Sequence, residues 1–275
     1  MTEISTFSGK LYRIFERSYK KIRDGLDDFL YPVDAVFISF PKSGRTWVRL
    51  FLSCYYSNFI NKNLELDLES KEILGVLPRI RFKHGSYFGH QDSQNSFKKI
   101  NEKLAKTSKK HKLIYLKRDP RDVFVSFFHH LTKREIPNDN SVDFKSISID
   151  ELILNEKYGF RNIWNYNKYW DSIFSSHMNA YMLNYEELLN DPEVGYFNLL
   201  KFLELDIRKE LIADAIYETS FDKLKEKYAN SSNHRLKQIN PKDNNSSKFR
   251  TGKSGSYLSE LSEDSIKLCN KIMET

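Results

Sequence analysis

The chain concentrates its chemistry in Pro41-Lys42-Ser43-Gly44-Arg45-Thr46. A glycine in so short a loop lets the backbone turn tightly, so that successive N–H groups point into one concavity. A helix starting at the same point adds its positive end. Ser43 and Thr46 contribute hydroxyl donors, and Lys42 and Arg45 contribute full charges. Everything here is a donor or a cation, which suits a phosphate or a close analogue. The loop is not G-x-x-x-x-G-K-[ST], because Lys42 precedes the only glycine instead of following a second one. Farther along, Arg118 has the planar fork that grips a dianionic phosphate bidentately. Ser126 follows eight residues later, two helical turns on, as a further hydroxyl donor. Arg250, with Gly252 and Gly255, offers a guanidinium and exposed N–H groups to the same anion. Trp47 and Phe221 are ring faces for sandwiching a purine, a contact worth ~1–3 kcal/mol per base. His84 closes a strand-like segment, and a neutral imidazole suits general-base work near neutral pH.

These residues need elements to position them. The run DAVFISF (34–40), bounded by Pro41, suits a buried parallel strand, and a helix follows from near Thr46 through WVRLFLSCYY. RIRFKH (79–84), KLIYLK (112–117) and AYMLNY (180–185) are three more strand candidates. Asp119-Pro120 is a start signal for a helix through His130. A helical stretch after Glu186-Glu187 breaks at Asp191-Pro192, and another covers YFNLLKFLEL; the last helix is expected at 259–273. Residues 10–30 have apolar residues at helical spacing and read as an amphipathic helix ended by Pro32, which makes 1–33 an N-terminal helical part of the domain. Residues 229–248 are polar and turn-rich and read as a mobile loop or lid. Strands separated by helices predict an α/β sandwich with a parallel sheet, and no internal boundary divides residues 1–275.

Composition narrows the class. Of the 275 residues, 40% are hydrophobic and 14% aromatic, too many for a disordered chain. No apolar run reaches the ~20 residues of a membrane helix, and the N-terminus lacks a signal-peptide core, so the expected location is cytoplasmic. Two cysteines, Cys54 and Cys269, make neither a disulfide framework nor a cysteine zinc site, and no metal-ligand cluster of the usual spacing is present. The net charge of +7 points toward an anionic partner. It is unevenly spread: Lys98–Arg121 holds ten basic residues against Glu102 and Asp119, and Lys223–Lys253 holds nine against Glu226 and Asp243.

SFPKSGRTW (39–47) resembles the 5′-phosphosulfate loop of the sulfotransferases that use 3′-phosphoadenosine 5′-phosphosulfate (PAPS), with Arg45 where that family has threonine. The resemblance continues in order. YLKRDPRDVFVSFFHH (115–130) is similar to the 3′-phosphate segment R-[N/D]-P-x-D-x-x-x-S, and NYEEL (184–188) to Y-E-[D/E]-L. TSF (219–221) matches T-S-F. FRTGKSGSY (249–257) is similar to R-K-G-x-x-G-x-W, with Thr251 replacing lysine and Tyr257 replacing tryptophan. PRIRFKH (78–84) resembles P-R-I-x-K-T-H, departing at Phe82 and Lys83. These matches cover about four fifths of the chain.

The resemblance implies a three-layer α/β/α fold with a central parallel sheet, like the P-loop-containing nucleoside triphosphate hydrolases, in a single domain. It implies sulfuryl transfer from PAPS to a hydroxyl or amine of a small-molecule, lipid or glycolipid acceptor, with no metal. Lys42, His84 and Ser126 are the implied catalytic residues. The implied nucleotide-binding set is Lys42, Ser43, Gly44, Arg45, Thr46, Trp47, Arg118, Ser126, Tyr185, Thr219, Phe221, Phe249, Arg250, Thr251 and Gly252. His129 and His130, just after Ser126, are read as supporting or packing residues. The acceptor pocket is expected from loops 61–77, 85–97, 132–160 and 229–248, with Tyr87, Phe88, Phe144 and Tyr158 as candidate lining. The family's C-terminal dimerisation segment is not recognisable, which leaves the oligomeric state open. Two alternatives stand beside this reading. One is an ATP-dependent small-molecule kinase with a degenerate P-loop, with Asp119 as a Walker B carboxylate; Arg118 and the lysine order oppose it. The other is a basic nucleic-acid-binding module, which lacks any recognised motif, so no nucleic-acid partner is expected.

Overall fold

In the computed structural model, residues 33–85, 101–106, 108–229, 231–233 and 236–275 are described. The helix expected at 10–30 and the candidates Tyr87 and Phe88 lie outside them. Four short strands form one parallel sheet in the order β2-β1-β3-β4. They are β1 (Ala35–Ser39), β2 (Ile80–Lys83), β3 (Lys112–Lys117) and β4 (Ala180–Asn184). The helices in chain order are α1 (Arg45–Ile60), α2 (Pro120–Lys133), α3 (Ile149–Leu152), α4 (Phe160–Ser176) and α5 (Tyr185–Asn190). They continue with α6 (Pro192–Phe202), α7 (Lys209–Glu218), α8 (Phe221–Ala229), α9 (Tyr257–Glu260) and α10 (Glu263–Met273).

The period-2 alternation of a strand divides the core into two faces. Val36 and Ile38 of β1 and Leu113 and Tyr115 of β3 pack on Phe124 and Phe127 of α2, Tyr166 and Trp170 of α4, and Cys269 and Ile272 of α10. Ala35 and Phe37, with Ile114 and Leu116, pack instead on Val48, Phe51 and Leu52 of α1, Leu199 of α6 and Ile212 of α7. Both faces are covered, so β1 is buried along its whole length and reads as an unbroken apolar run. The result is the expected three-layer α/β/α sandwich.

Helix α4 was not expected. FRNIWNYNKYWDSIFSS is rich in asparagine and aromatics, and its N-cap, Gly159, makes no capping bond. Its buried Phe160, Ile163, Asn167 and Trp170 nonetheless fall on one stripe, so tertiary packing outweighs weak propensity. The expected helix at 259–273 is split, because the Ser262 side chain caps α10 by accepting from the Ser265 N–H. The described part of 229–248 is a packed turn. Leu236, Ser246 and Ser247 are buried, and Arg134 at the end of α2 donates to the carbonyls of Lys237 and Ser246.

From β1 the sheet grows one way to β2 and the other way to β3. The loops leaving β1 and β3 therefore diverge, and a crevice opens at the C-terminal ends of the strands, where α/β sheets bind ligands.

Candidate active site

Three strand ends deliver the chemistry to this crevice: β1 runs into Pro41–Gly44, β2 ends next to His84, and β3 ends next to Arg118. In the β1 corner Lys42 has φ 76° and Gly44 φ 103°, both left-handed. For a lysine this backbone costs on the order of 1 kcal/mol or more, and such strain clusters where side chains must be aimed. Gly44 is the N-cap of α1 and provides no side-chain cap, so the positive end of α1 faces the corner. A Cβ at Gly44 would come within 2.6 Å of the Tyr185 ring, so the close fit there requires glycine.

Arg118 is buried, with 8% of its surface exposed. Its guanidinium donates to the Lys42 carbonyl (3.2 Å) and the Lys253 carbonyl (3.0 Å), and lies 4.2 Å above the Tyr185 ring. It thus ties the β1 corner, the 249–257 loop and α5 together. Asp122, fully buried one turn later, accepts from the N–H groups of Gly255 (2.7 Å) and Tyr257 (3.1 Å) and from the Ser256 hydroxyl (2.9 Å). Arg250 pairs with Glu260, whose other oxygen is 2.5 Å from His129 Nε2. Phe221 lies on Gly252 so closely that a Cβ there would be 2.3 Å from its ring. Trp47 donates Nε1–H to the Thr219 carbonyl (3.0 Å).

His84 is fixed from two sides. The Tyr166 hydroxyl donates to its carbonyl (2.7 Å), and its Nδ1 is 2.9 Å from the Ser39 carbonyl. A carbonyl oxygen only accepts, so Nδ1 carries the proton and Nε2 carries the lone pair. Burial, reinforced by Arg45, Lys248 and Lys42, pulls the His84 pKa down to about 3, which keeps the ring neutral at ordinary pH.

These groups surround one cavity of about 390 Å³. Of the residues expected at the site, Lys42, Gly44, Arg45, Thr46, Trp47, His84, Arg118, Ser126, Tyr185, Phe221, Phe249, Arg250, Thr251 and Gly252 line it. Ser43 and Thr219 do not. Ser43 is buried beneath the corner; the Thr219 hydroxyl donates to the Ala215 carbonyl (2.6 Å), which leaves its own carbonyl to hold Trp47. Phe144 and Tyr158 are not acceptor lining either: they form a buried ring pair 5.0 Å apart in the core. Asp119 is used as the N-cap of α2 and binds Arg121 (2.6 Å), so it is not placed as a Walker B carboxylate. Among the described residues, no group of three or more His, Cys, Asp or Glu is arranged to hold a metal ion.

Five titratable lining residues were not among the expected site set: His129, His130, Arg134, Glu135 and Lys248. Part of the signal was available, since Ser126 and His130 stand one turn apart on α2 and Arg134, its C-cap, follows one turn later. The rest depends on how the 236–248 turn docks. Burial and then Lys248 and Arg134 hold the Lys42 pKa well below the usual lysine range. Burial and then Arg134 bring Lys248 to about 8, and burial and then Lys42 bring His130 to about 2. The cavity is a concentrated cationic field.

A family model described as "Sulfotransferase domain" matches residues 32–275. The chain belongs to the sulfotransferase domain family. The family expected from the ordered motifs is borne out, and the protein is an enzyme. Relatives of this sulfotransferase include the amine sulfotransferase of Oryctolagus cuniculus, 25% identical over 94% of this chain and 87% of the relative. The luciferin sulfotransferase of Photinus pyralis is 24% identical over 96% of this chain and 75% of the relative. Among solved structures, mouse sulfotransferase SULT7A1 complexed with PAP superposes with a TM-score of 0.59 at 21% identity, covering 87% of this chain and 82% of that one. Retinol dehydratase in complex with androsterone and PAP superposes with a TM-score of 0.56 at 18% identity, covering 92% and 84%. These superpositions bear out the fold. No helix among the described residues of the sulfotransferase is long and apolar enough to cross a membrane.

Proposed function

We propose that this sulfotransferase moves the sulfuryl group of PAPS to a hydroxyl of a small organic acceptor, with Lys42 and His84 at the reacting atoms. One observation carries the reading: a single cavity holds the β1 corner with Lys42, Arg118 just before α2, Ser126 on α2 and the 249–252 loop. A nucleotide with phosphates on both its 3′ and 5′ sides needs anion sites at two separated points flanking an apolar slot. Arg118, Ser126 and Arg250 supply the 3′ site and residues 42–46 the 5′ site. Trp47 and Phe221 are the ring faces for adenine. When bound, PAPS supplies a sulfuryl group already activated by its phosphate leaving group.

The protein's part is positional and electrostatic. His84 Nε2 accepts the acceptor's hydroxyl proton as that oxygen bonds to sulfur. The Lys42 ammonium stabilises negative charge as it grows on the oxygen between sulfur and the 5′-phosphate, whose bond to sulfur breaks as 3′,5′-bisphosphoadenosine (PAP) departs. Anions beside Lys42 oppose the burial and like-charge effects that lower its pKa, so the donor itself favours the charged lysine. The acceptors in the names of the relatives, an amine and a luciferin, support a small organic acceptor. Lys42→Ala tests the assignment. Turnover should fall about 100-fold or more while PAP affinity changes only a few-fold; wild-type turnover in this variant would remove Lys42 from the reaction.

A further inference from the structure

The cavity extends past the groups that the donor requires. Along α2, Ser126, His130 and Arg134 face it at four-residue intervals, and Arg134 lies roughly 12 Å beyond Ser126 at 1.5 Å per residue. Lys248 approaches from the docked 236–248 turn and lines the same end. Its Nζ makes no hydrogen bond or ion pair with any described residue, although the side chain is half-buried. The charges of Arg134, Glu135 and Arg45 act on it most strongly, and its own charge is felt at Lys42, His84 and His130.

The charge balance at the two ends of the cavity differs. At the 3′ end both cations have carboxylate partners: Arg118 has Asp122 at 3.8 Å and Arg250 has Glu260. At the other end neither Lys42 nor Lys248 is paired with a described carboxylate, and Glu135 is the one carboxylate among the described lining residues. Glu135 is 72% exposed and 3.7 Å from His130. The donor's 5′ side is met by Lys42 and the amino end of α1, so Lys248, which lines the same cavity as His84, is a cation without an assigned anion. A half-buried ammonium in a site shared with an attacking hydroxyl favours molecules that bring it a negative charge and opposes those that bring a positive one.

We propose that the acceptor carries an anionic group, a carboxylate or a phosphate or phosphonate, on the same small molecule as the hydroxyl that is sulfated, and that Lys248 binds this group at the Arg134 end of the cavity. This specifies the substrate class of the site and rests on the sulfotransferase reading. Lys248 is then a specificity residue whose ammonium sorts acceptors by charge.

The experiment uses one phenol frame carrying four charges on the PAP-saturated enzyme: 4-hydroxyphenylacetate, 4-hydroxybenzylphosphonate, 4-ethylphenol and tyramine. Binding is measured by calorimetry for the wild type, Lys248→Met and Lys248→Arg. The wild type should bind at least one of the two anions about tenfold or more tightly than 4-ethylphenol, with tyramine weakest, since a charge-assisted bond is worth ~1.5–3 kcal/mol. The two anionic arms tell a carboxylate from a phosphonate. Lys248→Met should bring the series to within about threefold, and Lys248→Arg should keep the order. Wild-type binding of 4-ethylphenol or tyramine as tight as that of both anions overturns the proposal, as does a charge preference that survives in Lys248→Met. PAP stabilisation of each protein is measured first, by thermal shift. Its absence in the wild type overturns the sulfotransferase reading and this proposal together, whereas its presence with a flat series overturns the proposal alone.

Discussion

Lys42 accepts a left-handed backbone that most lysines avoid, and His84 accepts burial, and then a field of cations, that keep it neutral. Both are local sacrifices of comfort at the atoms where the reaction is proposed to occur. His84→Gln should abolish sulfuryl transfer while PAP still binds, as measured by turnover and calorimetry; an active variant would pass the proton to another group. The pH dependence follows from two histidines. In the unfolded chain each protonates near pH 6.5, whereas in the folded protein His84 resists to about pH 3 and His130 to about pH 2. Both folded values are depressed, so the unfolded chain binds more protons below pH 6.5 and stability falls as pH falls from there toward 3; above 6.5 these groups contribute no slope. The melting temperature should therefore drop between pH 6.5 and 4.5, and the drop should be smaller in the His84→Gln, His130→Gln double variant. Lys42, His84 and Arg118 were legible in the sequence because each stands at a strand end or beside a glycine. Lys248 was not, because a lysine in a basic, polar stretch resembles any solvated lysine until the turn that carries it is seen to dock on Arg134.

At the level of elements, the site is an edge held closed by a few buried polar ties. Asp122 links the first turn of α2 to the 254–257 segment through two backbone N–H groups and two hydroxyls, and it also faces Arg118. Asp122→Ala should destabilise the fold by about 3 kcal/mol or more in a denaturant titration and weaken PAP binding with it. The substitution strands buried donors and leaves Arg118 without its carboxylate. Gly252 has φ 62° and no room for a Cβ against Phe221. Gly252→Ala should thus lower nucleotide affinity, read by calorimetry, with a smaller effect on the melting temperature. The four strands were readable because short apolar runs bounded by proline or charge have few other uses. Helices α4, α7 and α8 were missed: α4 is polar and aromatic in composition, and only its burial against the sheet shows which face is inside. For Asp122 the sequence shows an acid in the first turn of a helix; its use as an acceptor for a loop more than 130 residues away emerges only on folding.

For the molecule as a whole, the strand order β2-β1-β3-β4 is the decisive arrangement. It separates the paths of the chain at β1 and β3, and so faces the Lys42 corner toward Arg118 across one crevice. Basic residues from the two rich stretches, Arg118 from one and Lys248 and Arg250 from the other, meet in the same cavity. The central claim is that this cavity reads both ends of a twice-phosphorylated adenosine. Its most direct test is calorimetric binding of PAP and of AMP, which lacks the 3′-phosphate, to the wild type and to Arg118→Ala without added divalent metal. The account predicts that the wild type binds PAP at least about tenfold more tightly than AMP, because a charge-assisted contact contributes ~1.5–3 kcal/mol, and that Arg118→Ala removes most of the difference. Equal binding of the two nucleotides by the wild type, or an undiminished preference for PAP in Arg118→Ala, would contradict it.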